Sequence, residues 1–403
     1  MRIAFMIGQF PSLSETFILN QITGLLDRGH TVSILAERAS GEAQVHPDVE
    51  RYRLRECARY ELLPESVVGR AFGLASRWRP DHPGIRSLDV WHYGMEAASL
   101  RLAWASVGWG RGLDFDIVQC HFGALGRKAV LLREIGALKG KIVTAFHGED
   151  ITNYPRRFRG SLYAPLFATG DSFLPISPRW NEALLAMGCP SERIRVHRMG
   201  IDTTKFSPSD RASRTDAKLR LVSVARLVEK KGLDDALLAA ARLNVDFDYI
   251  IAGEGPLQSA LEARARALGI ADRVKFVGAL AQAEVMPLLQ SADILLAPSV
   301  TAGDGDIEGI PVTIMEAMAC GLAVLGTRHS AIPELVADGV CGFLAAEHDI
   351  ESLSDRLTQL AADPALRSRM GKAGRDIVLR DFDIAKLNDR LAAHYAELLV
   401  SDA

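Results

Sequence analysis

The chain has 403 residues, 48% hydrophobic and 24% charged, ordinary globular material and enough of it for two or three domains with cores of their own. Its apolar runs, residues 294–297 and 322–326 among them, fall far short of the roughly 18 residues of a membrane span, so a soluble protein is expected. The net charge of −3 gives no ground for a nucleic-acid partner.

That sum hides an asymmetry. Residues 1–200 hold 25 Lys+Arg against 20 Asp+Glu, which leaves 22 against 30 for the rest of the 47 and 50 in all. Arginines cluster at Arg51, Arg53, Arg55 and Arg59, and again at Arg156, Arg157 and Arg159. Such a basic first half suits anionic lipid head groups or a pyrophosphate-bearing acceptor, although charge runs are more often solvated faces. Five cysteines, an odd number without a CxxC spacing, indicate neither a zinc site nor a disulfide framework. The opening MRIAFMIG enters a strand directly, with none of the regions of an export signal, and a cytoplasmic location is the expectation.

In chain order, residues 2–7 read as a buried strand. Ser14 can cap a helix in which Phe17, Ile18, Ile22, Leu25 and Leu26 share one face, Gly29 stops it, and residues 31–36 supply the next strand, completing a βαβ unit. Residues 40–112 resist ordering. Beyond them, residues 116–120, 141–146, 172–176 and 195–197 read as short buried strands. A turn-rich connector over 200–208 and a polar stretch over 209–218 mark a linker. A second alternation follows, with strands at 220–225, 248–252, 274–277, 294–297, 323–326 and 342–344 and helices near 232–242, 257–268, 283–290, 312–319 and 331–337. The pattern predicts two doubly wound α/β domains, 1–200 and 201–383, with ligands at the carboxyl ends of the strands.

The segment that carries most chemistry is EGIPVTIME, Glu308 to Glu316. A helix starting near Pro311 places Glu316 just over one turn in, with Glu308, Gly309 and Ile310 at its entrance. Free amides at a helix start bind phosphate oxygens, and flanking carboxylates can accept from vicinal hydroxyls. A second element is Arg226 to Lys231 and Gly232, a loop after a strand. Arg226 supplies a bidentate fork and Lys231 a point charge suited to a diphosphate leaving group, with Lys230 the adjacent competitor. A third is Thr144-Ala-Phe-His147-Gly148-Glu-Asp150, a buried strand ending in histidine and glycine. The loop from Gly8 to Thr16 is a fourth.

With these motifs, essentially over its whole length, the chain resembles the retaining glycosyltransferases of family GT4, in particular the bacterial exopolysaccharide and colanic-acid-type enzymes. The resemblance implies the GT-B fold, two Rossmann-like domains facing a central cleft, with a final helix over about 384–403 packing back on the first domain. It implies transfer of a sugar from a nucleotide diphosphate donor, UDP first and GDP second, to a saccharide acceptor, with no metal or other cofactor. Glu316 would hold the ribose hydroxyls and Glu308 the donor sugar. The amides of Gly309 and Ile310, at the Pro311 helix entrance, would meet the diphosphate or sugar. Arg226 and Lys231 would stabilise the leaving diphosphate, and the base would settle near Gly278 and Ala279. His147 would contact the sugar or departing phosphate. Glu15, His121 and Asp150 are acceptor-side candidates, His121 and Asp150 with structural roles as alternatives. Family members commonly carry a Gly-Gly pair in the first loop, whereas this chain has Gly8 alone.

Gly253-Glu-Gly255 lacks the third glycine of a dinucleotide fingerprint, and Asp304-Gly-Asp306 sits where turn residues are usual, so neither NAD nor a metal is expected. The partners expected are a nucleotide sugar and a saccharide acceptor, lipid-linked, with peripheral contact at the inner membrane face through the basic first domain. A nucleotide-sugar epimerase or hydrolase of the same fold, or a non-catalytic nucleotide-sugar-binding regulator, is the alternative.

Overall fold

The structure is a computed structural model describing residues 1–12, 15–41, 45–77, 83–110, 112–148, 150–152, 162–208 and 218–400. The chain divides into two compact units, Met1–Met199 with Ala385–Ala403, and Gly200–Ile384.

The first unit is built on a six-stranded parallel sheet of β1 (Arg2–Phe10), β2 (Thr31–Ala39), β3 (Ala58–Tyr60), β4 (Asp114–His121), β5 (Lys139–Phe146) and β6 (Ser172–Pro175). The spatial order is β3-β2-β1-β4-β5-β6. Its central strands are near-continuous apolar runs, Ile3 to Ile7 in β1 for example, because helices cover both faces and no edge alternation survives. Helix Thr16–Asp27 joins β1 to β2 and buries Ile18, Leu19, Ile22 and Leu25 on the same core as Phe5 and Ile34. Ser14 lies outside the described residues, and Glu15 stands at the cap position without a side-chain cap bond.

The final helix, Ile384–Val400, belongs to this core. Leu387, Leu391 and Tyr395, spaced four apart, are buried along one stripe. The Tyr395 hydroxyl donates to Gln119 Oε1 on β4 at 2.8 Å, and Asn388 Nδ2 donates to the Asn20 carbonyl at 3.0 Å. A Cβ on Gly24 would run into that Asn388 side chain, so glycine there lets the two helices touch.

The second unit repeats the scheme with β7 (Leu219–Val224), β8 (Phe247–Ala252), β9 (Val274–Phe276), β10 (Ile294–Ala297), β11 (Ala323–Thr327) and β12 (Gly342–Ala345). Their order is β12-β11-β10-β7-β8-β9. Each sheet therefore reverses direction of growth beside its first strand, between β1 and β4 and between β7 and β10. At such a switch point the loops leaving adjacent strands diverge and open a crevice.

Three expectations change. Gly8 lies within β1, which runs on to Phe10 because Gln9 and Phe10 still pair with Arg38 and Ala39; it is not in a loop. Residues 195–197 form no strand. The Arg195 and His197 amides donate to Phe173 and Pro175, but the edge carries no continuous ladder. Finally, the first arginine cluster is largely neutralised by acids of the same segment, Arg53 pairing with Glu56, Arg55 with Glu50 and Arg51 with Asp48. The second, at Arg156, Arg157 and Arg159, lies outside the described residues. Within 40–112 the structure adds β3 and a run of short helices. Among the described residues, no helix is long and apolar enough to cross a membrane.

Candidate active site

In the second unit, β7 delivers the chain to Arg226 and the short helical turn Glu229–Lys231, at the β7/β10 switch point. Gly232 then adopts φ +61°, and a Cβ there would collide with the Pro298 carbonyl oxygen. Only glycine lets this turn lie against the segment leaving β10. The Val300 amide, bonded to the Lys230 carbonyl at 2.9 Å, secures the same contact.

The turn brings two lysines against the loop before helix Val312–Ala319. Lys231 Nζ makes a short ion pair with Glu308 Oε2, and Lys230 Nζ lies 2.9 Å from Asp306. Burial pushes the Glu308 carboxyl up, but Lys231, the more distant charge of Lys230 and the Gly309 amide together hold it below the usual carboxylate range. Arg226 is exposed and meets no carboxylate among the described residues.

Sequence reasoning missed the group that fixes Glu308. His329, 1% exposed, follows β11. Its Nε2 accepts the Glu308 amide at 2.9 Å while its Nδ1 lies 2.6 Å from Glu347 Oε1. The second Glu347 oxygen accepts the Thr301 amide at 2.7 Å. Because Nε2 must accept and Nδ1 faces a carboxylate, the imidazole is neutral with its proton on Nδ1. The signal was a histidine in a glycine-poor turn followed by a proline helix start, His329 to Pro333, which periodicity does not register.

Helix Val312–Ala319 starts at Pro311, with no side chain capping it, so its first amides keep donors for a ligand. Glu316 lies on its buried side, 8% exposed. Burial alone, with no cation beside it, pushes its carboxyl up to about 7. Gly309, Ile310 and Pro311 line the approach, Ile310 buried. Gly278 takes φ +75° and accepts the Gly253 amide at 2.7 Å, which ties the GEGP turn to the loop after β9. Among the described residues no group of three His, Cys, Asp or Glu has the spacing of a metal site.

In the first unit, His121 closes β4 and His147 follows β5. His121 Nδ1 lies 3.0 Å from His147 Nε2, and the rings stack with centroids 5.2 Å apart. Phe17 and Phe122 enclose His147. Burial, with His197 adding repulsion, brings His147 down to about 3. His121 falls well below its usual value through burial, His147 and His197. Both rings are therefore neutral and share one proton across their contact. The buried His147 Nδ1 and His121 Nε2 have no partner among the described residues. Whichever ring donates, one of those two atoms is a donor and the other a bare acceptor.

Asp150 supports this pair from behind. Its carboxylate accepts the amides of Gly148 at 2.9 Å, His147 at 3.0 Å and Gly123 at 3.1 Å. Burial still pushes it up to about 6 against their pull. At 4% exposure Asp150 holds the backbone that carries His147. Gly8 is half-buried, with nothing within 4 Å of an added Cβ. Glu15 precedes the first helix, partly exposed.

Two family models match the chain, Glycosyltransferase Family 4 over residues 14–205 and Glycosyl transferases group 1 over 208–377. A putative colanic acid biosynthesis glycosyltransferase, WcaL of Salmonella typhimurium, is 39% identical, with 98% of this chain and 99% of WcaL covered. The amylovoran biosynthesis glycosyltransferase AmsK of Erwinia amylovora is also 39% identical, covering 97% and 100%. Among solved structures, Anabaena HepE in complex with UDP and glucose superposes with a TM-score of 0.72 at 16% identity, covering 98% of this chain and all of HepE. The lipopolysaccharide outer core galactosyltransferase WaaB gives 0.69 at 18%, covering 98% and 100%. Two parallel sheets of matching order, and relatives aligned almost end to end, place the chain among the family 4 glycosyltransferases of GT-B fold.

Proposed function

We propose that the protein transfers a hexose from a nucleotide diphosphate sugar to a lipid-linked saccharide during exopolysaccharide synthesis, with retention of anomeric configuration and without a metal. The observation that carries this reading is the pairing of Lys231 with Glu308 beside the exposed Arg226 and the uncapped helix start at Pro311. A departing diphosphate gains negative charge as the glycosidic bond breaks. Arg226, Lys231 and the first amides of helix Val312–Ala319 are fixed donors for that charge. When the phosphate draws Lys231 away, the Glu308 carboxylate is freed to accept hydroxyls of the donor sugar. Glu316, one turn into the helix, accepts the ribose hydroxyls.

The UDP carried by HepE favours a uridine donor, with GDP the second choice, since a GDP-mannose-dependent mannosyltransferase of Mycolicibacterium smegmatis is 29% identical over 69% of this chain. The roles of WcaL and AmsK support an exopolysaccharide acceptor. His147 of the first unit, partly exposed after β5, contacts the donor sugar or the departing phosphate, with Glu15, His121 and Asp150 on the acceptor side. A cytoplasmic location, peripheral to the inner membrane face, follows from such an acceptor.

The test is a thermal-shift panel of UDP, GDP, ADP and their sugars, followed by mass spectrometry of products with and without lipid-linked acceptors. UDP or GDP should stabilise the wild type, and Lys231→Met should remove most of that shift. Binding unchanged by Lys231→Met and Arg226→Ala together would end this account.

A further inference from the structure

Nine of the fourteen large apolar side chains exposed among the described residues fall between Leu62 and Met95. All but Leu62, which precedes them, sit on a run of short helices that pack on one another around helix Arg101–Gly108. In helix Val67–Arg77, Val68, Ala71, Phe72 and Ala75 recur at i, i+3, i+4 and i+7, and all four face solvent. The opposite face buries Arg70, whose guanidinium donates to the carbonyls of Pro64 at 2.6 Å, Ser99 at 2.7 Å and Glu65 at 3.1 Å. The same inner face seats Leu74 beside Trp104, so the helix is packed on its own small core and still carries a second apolar stripe to solvent. Further along, Trp91 is fully exposed, with Ile85 and Met95 also largely uncovered. So dense a group of exposed apolar residues marks an interaction surface.

The surrounding charge selects the occupant. Arg77, Arg86 and Arg101 are exposed, and Arg86 and Arg101 meet no acid among the described residues. The acids of the same run are mostly engaged within the protein, Asp89 capping its own helix and Glu96 pairing with Arg127 at 2.7 Å. A second copy of this face would bring few free acids to these arginines, because its own are mostly engaged. An anionic bilayer surface instead takes aromatic groups at its interface and arginines at its phosphates.

We propose that residues 62–77 and 83–101 form a lipid-docking surface, with Phe72 and Trp91 entering the interfacial region of an anionic membrane. This deepens the reading of a lipid-linked acceptor and rests on it for its purpose, but the binding is measured without donor or acceptor.

The full chain is sedimented with vesicles of phosphatidylethanolamine and phosphatidylglycerol, and in parallel with phosphatidylcholine alone. Partition onto the anionic vesicles should exceed that onto the neutral ones by about tenfold or more. The double variant Phe72→Ser/Trp91→Ser should lose about tenfold or more of it, with an unchanged melting temperature because both side chains are exposed. Absence of binding, or equal partition of variant and wild type, would overturn the proposal. So would a dimer in solution that the same variant dissociates while vesicles bind neither form. Vesicle binding with turnover only on soluble acceptors would leave this surface standing and remove the lipid-linked acceptor.

Discussion

The amide of Glu308 points at Nε2 of His329, 2.9 Å away, so the backbone that carries the Glu308 carboxylate is held by a ring that Glu347 orients from its other side. Replacing His329 by Ala leaves that amide and the Glu347 carboxylate without their partner in a largely buried setting. The loss of a buried hydrogen bond of this kind is worth about 1–3 kcal/mol, so kcat/KM should fall roughly 10- to 100-fold. His329→Gln, which keeps an acceptor, should recover part of it. Steady-state kinetics of both variants decides the matter; equal activity of wild type and His329→Ala would show that Glu308 needs no such support.

Lys231 and Glu308 should be coupled in stability as well as in activity. Removing one partner leaves the other as a largely buried, uncompensated charge, which costs a few kcal/mol. Lys231→Met and Glu308→Gln are therefore each expected to lower the melting temperature, and the double variant to lie above the sum of the two losses. Because the folded Glu308 carboxyl is depressed, its contribution is present above about pH 4.5 and is lost as pH falls through its folded value. Strict additivity in the double-mutant cycle would mean that the pair is not formed in solution.

Glu316 should titrate near neutrality. Its folded carboxyl is raised to about 7, so between about pH 4.5 and 7 the folded state holds a proton that the unfolded state releases, and stability falls as pH rises through that window. Glu316→Gln should remove this slope and leave the protein more stable than wild type above pH 7. If Glu316 accepts ribose hydroxyls as the carboxylate, nucleotide affinity should rise with pH across the same range in the wild type only. Calorimetric titrations at several pH values read both effects, and identical pH profiles for wild type and Glu316→Gln would contradict them.

The histidines of the first unit impose the opposite slope. His147 and His197 are lowered to about 3 and about 4 by burial and neighbouring positive charge. Protons bind the unfolded chain first as pH falls below about 6.5, so stability should decline from there toward those values, roughly tenfold in the folding equilibrium per pH unit for each proton. His121→Asn/His197→Asn should flatten the acid limb of a melting-temperature profile. A limb of the same steepness in that variant would locate acid sensitivity elsewhere.

Two glycines should respond differently to one methyl group. Gly232→Ala forces a Cβ onto the Pro298 carbonyl at a positive φ, and should cost more than 1 kcal/mol of stability together with the Lys231 position. At Gly8 an added methyl meets nothing within 4 Å, so Gly8→Ala should melt like the wild type. Any fall in its activity then reports ligand approaching that strand end, and equal melting temperatures for the two variants would refute the contrast.

The regular parts of both sheets were legible because a parallel sheet covered on two faces writes its central strands as apolar runs such as Leu219 to Val224, with helices between them. β3 was not, since Ala-Arg-Tyr is three residues long with an arginine at its centre, and its place depends on pairing with Ile34 to Ala36. The helical run over 62–101 was illegible for a related reason. Its helices are short, and in Val67–Arg77 the apolar stripe faces outward, so the pattern that normally reports a core reports a surface. At the candidate site, Glu308, Glu316, Lys231 and His147 stood out through the family motifs that they match at helix and strand ends, and the resemblance alone preferred Lys231 to Lys230. His329 and Glu347 did not, because their meaning lies in three hydrogen bonds between segments far apart in sequence.

The helix Ile384–Val400, which seats Tyr395 against Gln119 and supplies part of the first core, also constrains biosynthesis. While the ribosome is still producing Gly200–Ile384, the preceding half carries an open apolar slot and must wait for the last segment of chain to seal it. Expressed alone, residues 1–199 are therefore a solubility hazard, and a split protein would need the closing helix supplied in trans.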